Sequence, residues 1–482
     1  MTRPRSLLVL LAVAACRGPA DPGGDRTDPH LTVETAETGA EPLEELDARL
    51  HPDFGTLVIV NWSQDRDAVA HAEFTTGDGV WHSSPPRTLG PGAHEEYLLG
   101  LPYETTVTWR VVLEDQAGPV SLGDRQITTA SWPPSLPAAE VTVSEPALWD
   151  PAMPYVLVAV TEVDGNMGDP WWVLIVDRQA RPVWAWRTSD THTTFHPRIG
   201  NDGRSLLLDN NAYWGVFGSG GEASTITRML LDGTVVETWD APGLHHPFVE
   251  LPDGTIAYGA ITSSAGYWYG NEYLVEIAPT PDRTTRTVFD CEAWLASIGV
   301  DHYCGSNTLT YRAETDSYLF SFYSLDSILD ISRSTGLPTR TFGQVPGSYA
   351  FDPPGAGMWW QHGGYWTEQG TLLTSTYAVE GSPQNHPEGE ETVVREYAVD
   401  EDDRTLRVVW DFGVGDGVYG AQMGEAHRLP NGNVLHNLGT LARLREGRPD
   451  GTVVWDAEWS PRQDIGRSVP IANLYDFLPE RP

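Results

Sequence analysis

Three histidines stand at matching places along the chain. His196 precedes the turn glycine Gly203, His246 precedes Gly254 and His362 precedes Gly370, each ahead of a turn that leads into an apolar strand. An imidazole can act as a nucleophile, a general acid or base, or a donor to an anion, so several gathered at one point could carry a group transfer. The competing reading makes each one a hydrogen-bonded core or surface histidine. His245, next to His246, is a second candidate at its position. Aromatic residues crowd the same segments: Trp359 and Trp360 precede Gln361 and His362, and Tyr267, Trp268 and Tyr269 occupy a neighbouring connection. They could line a slot for an aromatic ring or fill space between sheets. Other chemistry is thin. Asp164-Gly165-Asn166 and Asp416-Gly417 fall short of a calcium loop, and the chain has neither a paired-cysteine zinc site nor a glycine-rich phosphate loop. No metal and no cofactor is expected.

The elements that would position these side chains repeat from about residue 140 to the end. A strand, a turn and a second strand ending in an aromatic run from Trp172 to Trp186, and again from Arg228 to Trp239. Further copies link Tyr273 to Phe289, Ile328 to Phe342, Glu396 to Trp410 and Ala442 to Trp455. Between them lies a second pattern, a turn before an apolar strand, as in Leu251-Pro252-Asp253-Gly254-Thr255-Ile256 and Leu429-Pro430-Asn431-Gly432-Asn433-Val434. Two alternating hairpin patterns recurring roughly every 45–70 residues are the signature of four-stranded propeller blades. The prediction is an all-β chain whose residues 140–482 form a six-bladed β-propeller. The histidine segments fall on the innermost strands or their approach loops, which converge on the central axis.

Ahead of the repeats, residues 51–132 alternate in strand fashion and predict a small β-sandwich. Leu101-Pro102-Tyr103-Glu104-Thr105 resembles the corner of fibronectin type III domains, although Val107 stands where that family has its corner tyrosine. Residues 17–50 are rich in Gly, Pro, Thr and acidic residues and predict a disordered acidic linker. Residues 1–16 read as a lipoprotein signal peptide: Arg3 and Arg5 precede an apolar run from Leu7 to Ala15 that is too short to span a bilayer. That run ends Val13-Ala14-Ala15-Cys16, which resembles a lipobox, with Cys16 carrying the lipid. An ordinary signal peptide with a chance cysteine is the alternative. The reading implies an exported, membrane-anchored lipoprotein, periplasmic or at the cell surface. In such an oxidising setting Cys291 and Cys304 are expected to pair, two buried free thiols being the alternative. With 67 acidic residues against 30 basic ones and a formal charge of −37, the chain lacks what phosphate backbones require, which argues against nucleic acid as a partner.

From about Tyr155 onward the sequence resembles the bacterial arylsulfotransferases. The resemblance is carried by His245-His246 with Leu251-Pro252-Asp253-Gly254, by Ser306-Asn307 with Ser321, by Gln361-His362, and by the stretch from Gly424-Glu425-Ala426-His427-Arg428 to Asn433. It implies a sulfuryl transfer from an aryl sulfate ester to a phenolic acceptor through a sulfohistidine, without a nucleotide donor. By position His362 matches the sulfated histidine, and His246, with His245 as the adjacent candidate, a supporting one. Gln361, Asn307, Tyr323, His302, His196 and Trp360 are the expected substrate-binding residues. Two positions depart from the family pattern. Gly305 stands where the family has a histidine, in Gly305-Ser306-Asn307, and Tyr323 follows Phe322 where it has an arginine. Losing one donor from such a site typically costs ~3–4 kcal/mol of transition-state stabilisation. His302 could partly compensate. A second reading follows: a surface binding propeller that kept the fold and lost the reaction.

Overall fold

Alternation of apolar and polar residues governs the first folded stretch, in which Val58, Val60 and Trp62 point to one side and are buried. The computed structural model describes residues 46–116, 118–162, 170–212, 221–262, 271–385 and 390–480. Cys16, the leader, most of the acidic linker, Asp164-Gly165-Asn166 and Tyr267, Trp268 and Tyr269 lie outside the described residues. Two sheets face each other here. One has the order Asp47–Leu50, Val58–Gln64, Gly92–Leu98; the other runs His82–Ser83, Ala68–Thr75, Thr106–Asp115, Gly118–Thr128. They enclose Trp62, Phe74, Leu101, Val107 and Trp109 in one core. Asp47–Leu50 falls within the stretch expected to be linker. It forms an edge strand instead, because Leu46, Ala48 and Leu50 alternate onto that core.

The remainder is the six-bladed propeller. Blades two to four each use four consecutive antiparallel strands, starting at the axis with Arg198–Ile199, Leu244–Glu250 and Ser306–Arg312. Blades five and six start with His362–Trp366 and Glu425–Arg428, and each gains a fifth, outer strand. Ala350–Asp352 adds in parallel to blade five, and Ala139–Ser144 adds to blade six. Blade one closes the ring from both ends of the chain: Ile465–Ile471 supplies its innermost strand, and Tyr155–Thr161, Trp171–Asp177 and Pro182–Arg187 the outer three. Pairing of the last strand with the first blade ties both ends of the repeat together, which suits a rigid scaffold around an axial site.

The sandwich is fixed to this ring. Phe54 stacks on Trp184 at 5.4 Å, within a core shared with Leu57, Ile59, Leu99, Leu206 and Leu231. The Asp232-Gly233 turn passes so close that a Cβ at Gly233 (φ +82°) would lie 2.7 Å from the Phe54 ring. Trp184 anchors the seam further, its Nε1 donating to the Leu231 carbonyl at 2.8 Å. Among the described residues no helix is long and apolar enough to cross a membrane.

Candidate functional site

All six blades contribute to one cavity of about 470 Å³ at the axis, through His196, His246, Asn307, His362, Met423 and Arg467 among others. Each of these residues lies on, or just before, an innermost strand. The three histidines that sequence periodicity singled out therefore meet, as do His245, Asn307, Tyr323 and Trp360, which line the same space. His196 and His246 approach edge to face at 5.0 Å, and His245 and His246 lie 4.1 Å apart.

Hydrogen bonds fix the state of each ring. The Trp360 carbonyl, 3.0 Å from His362 Nδ1, can only accept, so Nδ1 carries the proton and Nε2 keeps its lone pair. His246 is set the same way by the His245 carbonyl at 2.8 Å. His196 takes the same tautomer, set from its other nitrogen. Arg467 Nε donates to its Nε2 at 3.2 Å, so Nδ1 holds the proton, and this buried N–H has no acceptor among the described residues. Burial, reinforced by the Arg467 charge, pushes His362 down to about 3. Burial holds His196 well below the ordinary range, helped by Arg467, and His246 likewise, helped by His245 and Arg467. All three are neutral imidazoles in the resting site.

Local backbone geometry aims these groups. Trp360 has φ +46°, a left-handed conformation that costs a non-glycine residue about 1–2 kcal/mol. Its N–H is held by the Asp326 carboxylate at 2.6 Å. The strand that follows is irregular between His362 and Tyr365, and this turns His362 toward the axis. Gln361 does not line the cavity. It is fully buried, and its amide donates to the Phe322 and Ser327 carbonyls at 3.1 and 3.0 Å, locking blade five to blade four. Asn307 reaches back to the Gln361 carbonyl at 2.7 Å. His302 is exposed, stacked on Tyr303 at 4.8 Å, and it is Tyr303 that lines the cavity. Trp359 is partly buried beside the site without lining it.

Of the lining residues that sequence reasoning missed, the charged one is Arg467. It comes from the closing strand and is buried at 4% exposure. Its Nη2 donates to the Asn307 carbonyl at 2.5 Å and to Thr308, and its Nη1 to the Gly424 carbonyl at 2.5 Å and to Glu425 at 3.4 Å. Its N–H groups are thus engaged by the protein, so it presents the cavity with a fixed positive charge rather than with a free bidentate fork. Burial would raise the Glu425 carboxyl, but His427 and Arg467 overcome that and hold it at about 2, so the pair stays ionised. No local signal in Ile465-Gly466-Arg467-Ser468 marks this arginine as axial.

The loop between blades three and four is pinned by the disulfide Cys291–Cys304, as expected for the two cysteines. It ties the helix Cys291–Ser297 to the residue next to Gly305 across a sequence separation of 13. Cys291→Ser with Cys304→Ser is expected to cost about 2–4 kcal/mol, the range for loops of this size. Chemical denaturation of the oxidised protein and the variant checks it; equal midpoints would refute it.

Residues 302–463 match the family model Arylsulfotransferase (ASST). No curated protein sequence matches the chain. Among solved structures, a protein of unknown function from Bacteroides caccae is similar at 12% identity and TM-score 0.40, covering 64% of this chain and 94% of its own. The periplasmic gluconolactonase of Pseudomonas aeruginosa is similar at 15% identity and TM-score 0.36, covering 66% and 97%. A virginiamycin B lyase variant from Staphylococcus aureus shows 11% identity and TM-score 0.33, covering 67% and 89%. The resemblance to the arylsulfotransferases, first read from scattered motifs, thus holds over residues 302–463, the stretch that supplies Asn307, Tyr323 and His362 to the axial cavity.

Proposed function

We propose that the protein moves a sulfuryl group from an aryl sulfate ester to a phenolic acceptor, with His362 as the carrier. In the first step the His362 Nε2 lone pair attacks sulfur, the S–O bond to the aryl group breaks, and the phenolate leaves with the electron pair. In the second step the acceptor oxygen attacks sulfur, the S–N bond breaks, and His362 returns to its neutral state. Neutral His246, with its Nε2 lone pair in the cavity, suits the base that takes the acceptor's proton. The Arg467 charge is the local feature that favours a sulfuryl anion. The observation that carries the reading is the fixed tautomer of His362 on the axis, a neutral nucleophile with its proton tied to the Trp360 carbonyl. Oxidised Cys291–Cys304 supports export. Lipid attachment at Cys16 rests on the leader sequence.

Purified protein is expected to release 4-nitrophenol from 4-nitrophenyl sulfate when phenol is supplied, and to carry one sulfuryl group on the His362 peptide when phenol is withheld. Neither release nor adduct would overturn this reading. It would leave the alternative, a surface binding propeller that kept the fold and lost the reaction, which the full engagement of the Arg467 N–H groups favours.

A further inference from the structure

Gly305 leaves no room for a side chain. A Cβ built there would lie 2.7 Å from the Tyr323 hydroxyl oxygen, 2.8 Å from Cζ and 3.1 Å from Cε1. The Tyr323 ring stands in the volume a side chain at 305 would use, and it does so at the cavity wall. It lies 4.8 Å from Trp360 at a tilt of 60°, and 5.9 Å from His362 with the ring planes 11° apart. The two segments cannot easily draw apart. Ser324 Oγ accepts from the Gly305 N–H at 2.8 Å and donates to the Tyr303 carbonyl at 3.1 Å, while Ser324 N–H reaches the Gly305 carbonyl at 3.4 Å. Cys304, next in the chain, is held by the disulfide.

We propose that Gly305 and Tyr323 are a matched pair, in which the Tyr323 ring is the wall that sets the size of aromatic group admitted beside His362. The proposal rests on the site being one for aryl sulfates. A substrate ring presenting its sulfur to His362 Nε2 would lie alongside Tyr323, whose ring runs nearly parallel to the imidazole and packs against Trp360. Shape is the operative property, so the hydroxyl is dispensable for selection and the ring is not. The pairing also has a steric corollary. A side chain can be introduced at 305 only if the ring at 323 is removed with it.

The test uses sulfonates, whose S–C bond prevents transfer, so binding is read apart from reaction. Benzenesulfonate and 2-naphthalenesulfonate are titrated calorimetrically against the oxidised full-length protein. Wild type is expected to prefer the single ring. Tyr323→Ala is expected to shift the ratio of affinities toward the naphthyl ligand by on the order of 10-fold, and Tyr323→Phe to keep the wild-type ratio. Gly305→Ala is expected to weaken both ligands by about 10-fold, and Gly305→Ala with Tyr323→Ala to restore binding, which also shows that position 305 tolerates the change in a folded protein. An unchanged ratio in Tyr323→Ala, a Gly305→Ala variant that binds as wild type, or no binding by wild type would each overturn the proposal. Size selection as expected without any release from 4-nitrophenyl sulfate would overturn the reaction and leave the pair standing.

Discussion

Replacing His362 by alanine is expected to lower sulfuryl transfer by roughly 10⁴-fold or more, since in the proposed mechanism this imidazole carries the sulfuryl group. The loss belongs in the chemical step, so the burst of phenol in a single turnover disappears while sulfonate binding persists. His362 is only partly buried, and truncating it removes one hydrogen bond to the Trp360 carbonyl, so the fold should survive. The pH dependence supplies a second check. Burial and the Arg467 charge keep the resting imidazole neutral down to about 3, so the acid limb of kcat/KM should lie well below the ordinary histidine value of 6.5. The same shift couples to stability. Below 6.5 the unfolded chain takes up a proton that folded His362 refuses until about 3, so stability is complete above that window and falls as the pH drops through it. His362→Ala should flatten that part of the profile. Wild-type rates in this variant would move the nucleophile elsewhere, with His246 the nearest candidate.

How far the sequence reveals this site depends on the range over which each feature is encoded. Strands such as Trp172 to Val176 and Val453 to Trp455 announce themselves because a short run of aliphatic and aromatic residues is a local signal, and turn residues such as Asp450-Gly451 mark where hairpins reverse. Repetition then supplies what locality cannot. His196, His246 and His362 hold equivalent places in their blades, and symmetry alone brings them to one axis. Features that break the repeat stay hidden. The strand Ile465–Ile471 pairs with Tyr155–Thr161 from the other end of the propeller sequence, so its arginine carries no repeat signal. The stretch from Asp301 to Gly305 is irregular, and there a shift of one residue decides that Tyr303 faces the cavity and His302 the solvent. The left-handed backbone of Trp360 has no residue-type signature, because it is glycine, and to a lesser degree Asn and Asp, that advertise such a conformation. Gly305 and Tyr323 lie eighteen residues apart along the chain, yet in space the Tyr323 ring fills the volume a side chain at 305 would use.

Arg467→Gln is expected to reduce kcat by about 10²–10³-fold, the scale seen when one group that stabilises developing charge is removed from an enclosed site. The effect has a built-in marker. Without the neighbouring cation the His362 imidazole should protonate more easily, so the acid limb of the rate profile moves to higher pH. Removing the charge also strands Glu425, which is 2% exposed and otherwise held by the Ser468 N–H, Tyr365 and His427. Breaking a buried pair from one side costs about 3–5 kcal/mol, so the single variant will be less stable as well as slower. Glu425→Gln combined with Arg467→Gln separates the two consequences. With neither charge present, stability should largely return while kcat stays low, because the amide pair can satisfy hydrogen bonds but cannot supply a field. Recovery of rate together with stability in the double variant would mean that Arg467 serves only to hold the closing strand against Asn307, Thr308 and Gly424. Arg467→Lys tests the same division from the other side: it keeps the charge and loses the planar fork that spans those acceptors, so its rate should fall between wild type and Arg467→Gln.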